Sequence, residues 1–142
     1  EVNNMKVLHL STHDTSGGAA RATYRLHKGL QNIGLQSQML VQEKHSSDKT
    51  VIAPKMRLFQ GIAKTKLTFE VLPLKFYTQK PKTTFYTQWL PDRVVSQIAK
   101  INPDVINLHW VSAAFMQIET FAKLKRPLVW TLHDMWGFTG GC

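Results

Sequence analysis

The sequence predicts an α/β protein built on a doubly wound parallel sheet, and three observations predict it. Short apolar runs stop abruptly at turn formers, amphipathic helical stretches alternate with those runs, and a glycine pair opens the first of the helices. Strands alternating with helices close into a parallel sheet through right-handed crossovers. At 142 residues the chain fits one domain with a single core.

The first unit runs from Lys6 to Gly34. Val7, Leu8 and Leu10 form an apolar run too short for a buried helix, and it ends at Ser11, Thr12, Asp14, Thr15, Ser16 and Gly17. Beyond Gly18, residues Ala19, Ala22, Leu26, Leu30 and Ile33 fall on one helical face. That face is predicted inward, with Arg21, Arg25, Lys28 and Gln31 turned to water and Gly34 as the stop. This is half of a βαβ unit. Its glycine turn opens a helix whose free N–H groups and positive dipole end suit a phosphate or carboxylate.

Leu35 to Val41 alternates apolar and polar residues and reads as the second strand. Gln42 to Thr50 is turn material, and Val51 to Ala53 a short third strand before Pro54. Met56 to Leu67 places Leu58, Phe59, Ile62, Ala63 and Leu67 at helical spacing, and Pro73 interrupts the stretch after it. Thr83 to Leu90 is aromatic and β-prone, a strand or a loop against the core. Pro91 and Asp92 start a helix with Val94, Val95, Ile98 and Ile101 inward, closed by Asn102 and Pro103. Asp104 to Trp110 is a further strand. Phe115 to Leu124 is a helix with Ile118, Phe121, Ala122 and Leu124 inward, and Leu128 to Leu132 is the last strand. The sequence stops soon afterwards, within Gly137 to Cys142, and the expectation is a piece of a longer polypeptide.

Hydrophobic residues make up 43% and charged residues 19%, values of a soluble globular protein, and no apolar run approaches a bilayer-spanning length. The polar start, Glu1 to Asn4, does not read as a secretory signal. A single cysteine, Cys142, offers no disulfide framework and suits a reducing, cytoplasmic setting. The net charge of +9 is concentrated between Lys55 and Lys82, where seven Lys or Arg face one acid, Glu70. Such a stretch suits an anionic partner (a phosphorylated substrate, an anionic membrane or a nucleic acid) or a solvated face. The basic residues carry no recognisable nucleic-acid reading motif, which disfavours that partner.

Open α/β sheets bind ligands beyond the carboxyl ends of their strands, and polar residues collect there. The first strand runs into His13, Asp14 and the Gly17, Gly18 turn. Later strands run into His109 and Trp110, and into His133 and Asp134. The glycine pair also suits a tight turn without ligand, and His109 with Trp110 also suits a core pair. His133 and Asp134 are expected to face a ligand, because burial would demand partners for both. His9 is expected to be structural, His27 and His45 to lie on the surface. Metal ligand types occur in His13, Asp14, His109, His133, Asp134 and Cys142, but their spacing matches no standard metal motif. There is no G-x-S-x-G elbow. The turn also lacks G-x-G-x-x-G, so dinucleotide binding ranks second even with Glu43 after the second strand, where a ribose-binding acid would sit.

The segments KVLHLSTHDTSGGAARATYRLHKGL, DVINLHWV and RPLVWTLHDMWGFTGGC, in this order, resemble the N-terminal half of bacterial family 4 glycosyltransferases of the exopolysaccharide and colanic-acid type. The resemblance covers the whole chain, most weakly across Val51 to Leu90. It implies the GT-B architecture of two Rossmann-like domains, with residues 1–142 as the acceptor-side domain and the donor-binding domain lying elsewhere. It implies transfer with retention from a nucleotide-sugar to a glycan or lipid-linked acceptor, with no obligatory metal or other cofactor. Gly17 and Gly18 would approach the donor diphosphate and His133 the reacting centre. His13, Asp14, His109, Trp110 and Asp134 would line the acceptor pocket. Enzymes of this type often work at the cytoplasmic membrane face, a role open to Lys55 to Lys82. The alternative is a stand-alone Rossmann-like module that binds a nucleotide or anion without catalysis.

Overall fold

A computed structural model describes residues 4–54, 65, 66, 68–78 and 85–140. Five parallel strands form its sheet: β1 (Lys6–His13), β2 (Gln36–Glu43), β3 (Val51–Ile52), β4 (Val105–Leu108) and β5 (Leu128–Trp130), in the order β3-β2-β1-β4-β5. Helices α1 (Gly18–Asn32), α2 (Val94–Ile101), α3 (Ile118–Phe121) and α4 (Trp136–Thr139) accompany it. The predicted α/β class and parallel sheet are therefore the observed ones. β1 is central because its residues from Val7 to Thr12 are buried, so it needs a neighbour on each edge and cover on each face. The chain leaves β1 toward β2 and β3, then returns to place β4 on the other edge, and this reversal makes a crevice between the ends of β1 and β4.

Leu8, Leu10, Leu40, Ile106 and Leu108 from the sheet pack with Val94 and Ile98 of α2 and with Phe115, Met116 and Trp136. Each fully buried aliphatic side chain contributes about 1.5–3 kcal/mol. Asn102 ends α2 as expected, in the left-handed region at φ 52°. A smaller cluster of Met39, Val41 and Val51 is covered by Tyr24 of α1.

Several expected faces are different. In α1 the sheet side carries Ala20, Thr23 and His27, while Ala22 is exposed, Leu26 is 40% exposed and Ile33 69%. The reason is polar: His27, expected on the surface, is buried between Ser37 and Thr50, at 2.7 Å from Ser37 Oγ and 2.8 Å from Thr50 Oγ1. The helix expected over Phe115 to Leu124 shrinks to α3, because Ala113 and Ala114 adopt positive φ and delay its start. Phe115 and Met116 are buried before it begins. Ile118 and Ala122 face outward, whereas Phe121 and Leu124 pack on the core as expected. Residues 86–89 are irregular, with Tyr86 on the core and Gln88 buried. Pro73 opens a 3-10 turn, Pro73–Phe76. Most of the amphipathic stretch Met56 to Leu67, much of Lys55 to Lys82, and Cys142 lie outside the described residues.

Candidate functional site

The crevice has a volume of about 580 Å³. One wall is the end of β1 and the start of α1 (Ser11, His13 and Ser16 to Ala20), and the other carries Trp110, His133 and Asp134. Gly17 precedes α1 at φ 91°, ψ 171°, a backbone conformation essentially reserved for glycine. No side chain caps this helix and its first turn holds no acid, so the N–H groups of the opening turn face an uncompensated dipole end. Such an end favours negative charge.

The opposite wall is held by a line of three imidazoles. His133 Nε2 lies 3.0 Å from His109 Nδ1, and His109 Nε2 lies 3.1 Å from His9 Nδ1. His9 and His109 are buried and His133 is exposed. Burial, with His27 nearby, lowers the pKa of His9 to about 4. Burial, with His9 and His133, lowers that of His109 to about 3. Both rings are neutral near pH 7, so each donates once and accepts once. His9 Nε2 has no partner among the described residues. Orphaned buried donors are rarer than orphaned acceptors, which assigns protons to His9 Nδ1 and His109 Nδ1, each donating along the line. His133, which lines the crevice, then accepts at Nε2.

Trp110 Nε1–H donates to Asp134 Oδ2 at 2.7 Å, and Asp134 Oδ1 accepts from Trp136 N at 3.0 Å. Asp134 thus braces the Trp110 ring and ties down the first turn of α4. His13 stacks beside Trp110, centroids 6.2 Å apart. Two residues expected in the pocket do not line it. Asp14 is buried, accepting from the backbone of His45 at 2.9 Å and Ser46 at 2.8 Å. Burial acts to raise its pKa, but these bonds outweigh that and hold it below the usual carboxylate range. His109 sits behind His133, both ring nitrogens engaged.

The sequence places Thr12 with His13 and Asp14 at the end of the first strand but gives no such sign for Ser11. Ser11 lines the crevice with a buried hydroxyl that has no partner among the described residues. Thr12 Oγ1 lies 2.8 Å from Ser112 O and 3.1 Å from Trp110 O, fixing the two strand ends to each other. Both read as turn formers after an apolar run, and only their position beside β4 reveals more.

The sequence profile of Glycosyltransferase Family 4 matches residues 16–141, from the turn before α1 to the end of the described chain and one residue beyond it. The chain belongs to this family. No curated protein and no solved structure matches it significantly. A Glycosyltransferase Family 4 domain has the GT-B type of Rossmann-like sheet and acts as a transferase on a sugar donor and an acceptor. In the Family 4 domain described here, the unpartnered Ser11 hydroxyl, the exposed His133 and the uncapped opening turn of α1 line one crevice. No helix among the described residues is long and apolar enough to cross a membrane.

Proposed function

We propose that the chain is the N-terminal, acceptor-side domain of a retaining glycosyltransferase that moves a sugar from a nucleotide-sugar to a glycan or lipid-linked acceptor in cell-surface polysaccharide synthesis. The observation that carries this reading is the crevice at the β1–β4 switch point, with Gly17 and Gly18 on one wall and His133 on the other, in a Family 4 chain. The anomeric carbon–oxygen bond to the donor diphosphate breaks, and a bond to the acceptor hydroxyl oxygen forms on the same face. The departing diphosphate oxygen takes the hydroxyl proton, so no side-chain nucleophile is required.

This domain contributes electrostatics and orientation. The N–H groups opening α1 stabilise charge growing on the diphosphate, a use of preorganised donors commonly worth several kcal/mol. His133 donates from Nδ1 to a sugar hydroxyl or a developing oxyanion, and Trp110, braced by Asp134, supplies a flat wall. No metal or other cofactor enters these steps. A second domain would carry most donor contacts, so residues 1–142 alone are expected to be inactive.

In the full-length enzyme, His133→Ala and Gly18→Val are each expected to reduce transfer by roughly 100-fold or more with circular dichroism unchanged. Wild-type rates in either variant refute the assigned site. If the 142-residue chain binds a nucleoside diphosphate and the full protein transfers nothing, the binding-module alternative replaces this reading. We also infer a cytoplasmic enzyme resting on an anionic membrane through the basic segment Lys55 to Lys82. Its described part leaves Phe69, Leu72 and Tyr77 exposed and Phe76 85% exposed beside Lys75. Liposome co-sedimentation should rise with anionic lipid and fall with salt; indifference to both refutes the contact.

A further inference from the structure

We propose that His13, Glu43 and His45 form a binding site for a divalent transition-metal ion, zinc being the reference ion, at the carboxyl ends of β1 and β2. Parallel register pairs His13 with Glu43 across the two strands, and His45 lies two residues later. His13 Nδ1 lies 3.6 Å from Glu43 Oε2, and His45 Nε2 lies 3.9 Å from the same oxygen. One ligand atom from each residue falls within 4.8 Å of the others. A tetrahedral zinc ion with bonds of about 2.0–2.1 Å holds its ligands roughly 3.3 Å apart. The observed separations, 3.6 Å, 3.9 Å and at most 4.8 Å, exceed this, so binding would draw the three side chains together.

Three further observations favour an ion over a simple charge pair. His13 Nδ1 is shielded from solvent and has no hydrogen-bond partner among the described residues, since 3.6 Å is too long for one. Lys44, the nearest cation in sequence, is turned elsewhere, donating to Asp48 O at 2.5 Å and Val51 O at 2.9 Å. The loop bearing His45 is already anchored, because Asp14 accepts from the backbone of both His45 and Ser46. The ligands therefore stand on two strand ends and a pinned loop, a low-entropy arrangement for binding. Two imidazoles and one carboxylate suit Zn²⁺, and leave a coordination position for water or ligand. Because His13 also lines the crevice, the ion would add positive charge on its rim, a consequence that rests on the proposed diphosphate site.

The test is a calorimetric titration of chelator-treated protein with Zn²⁺ alone, paired with the visible spectrum of the Co²⁺-loaded form. One ion per chain is expected, with tetrahedral cobalt absorption. His45→Ala and Glu43→Gln should each weaken binding by roughly tenfold or more, while His133→Ala leaves it unchanged. His45 and Glu43 are partly exposed, so both variants should fold. Absent binding, binding insensitive to His45→Ala and Glu43→Gln, or binding lost in His133→Ala overturns the site. No donor or acceptor enters the titration, so its failure leaves the transferase reading standing.

Discussion

His9 and His109 are imidazoles whose protonation the fold opposes, and their effect on stability has a definite sign. Their folded pKa values, about 4 and about 3, lie below the free value of 6.5, so the unfolded chain binds protons first as pH falls. Stability is therefore complete above pH 6.5 and declines toward pH 4, by about 1.4 kcal/mol per pH unit for each ring. Urea unfolding between pH 7 and 5 should show this slope, and His9→Leu should flatten it; an unchanged slope would place the linkage elsewhere. The same line fixes the tautomer of His133. Nitrogen-15 spectra should report the Nδ1–H form in the wild type and a mixture in His109→Phe. The two glycines divide differently. Gly17→Ala should cost about 1–3 kcal/mol for its backbone conformation alone, whereas a Cβ on Gly18 meets nothing within 4 Å, so Gly18→Ala should unfold no earlier. The places of Gly17, Gly18 and His133 on the crevice were legible because each lies within a few residues of a strand's carboxyl end. The buried His27 was not, since its partners Ser37 and Thr50 lie on other elements.

Elements here are joined by a few polar residues as much as by apolar faces. Asp48 holds Thr50 Oγ1–H at 2.5 Å, which forces that oxygen to accept from His27 Nε2–H and leaves His27 Nδ1 to accept from Ser37. One carboxylate thus sets the contact of α1 with β2. Burial acts to raise Asp48, but bonds from Thr50, Lys28 and Tyr24 outweigh it and hold it well below the carboxylate range. Asp92 plays the same part elsewhere. Its Oδ1 accepts from Val94 N at 2.9 Å at the start of α2, and its Oδ2 from Gln117 N at 2.7 Å and Thr120 Oγ1 at 2.6 Å. Asp92→Ala should cost about 2–4 kcal/mol in denaturant unfolding, because a helix start and a partly buried turn lose their acceptor together. Leu26→Gln, on the outward face of α1, should change stability by less than about 0.5 kcal/mol. The strands were readable because apolar runs ending in turn formers have few alternatives. The faces of α1 and α3 were not, because buried polar ties and two alanines at positive φ override periodicity.

At the scale of the whole molecule, the parallel sheet was implied by alternating strands and helices, but its order was not. Nothing local states that the chain leaves β3 and returns beside β1. That return creates the crevice and leaves β5 as an edge. All three residues of β5 are exposed, Val129 at 52%, and Leu132, Met135 and Phe138 beyond it are exposed as well. Interior strands of a parallel sheet are apolar because both faces are covered, and β5 keeps that composition without that cover among the described residues. Its outer edge also presents backbone groups that pair with no other strand among the described residues. An exposed apolar edge strand is a template for pairing between chains. The 142-residue protein should therefore self-associate as its concentration rises, and sedimentation velocity should show it. Val129→Lys places a charge on that edge at a position already open to water. It should suppress association while leaving the melting temperature near that of the wild type. Association unchanged in this variant would move the contact away from β5, and a lowered melting temperature would mean that Val129 packs against something in solution.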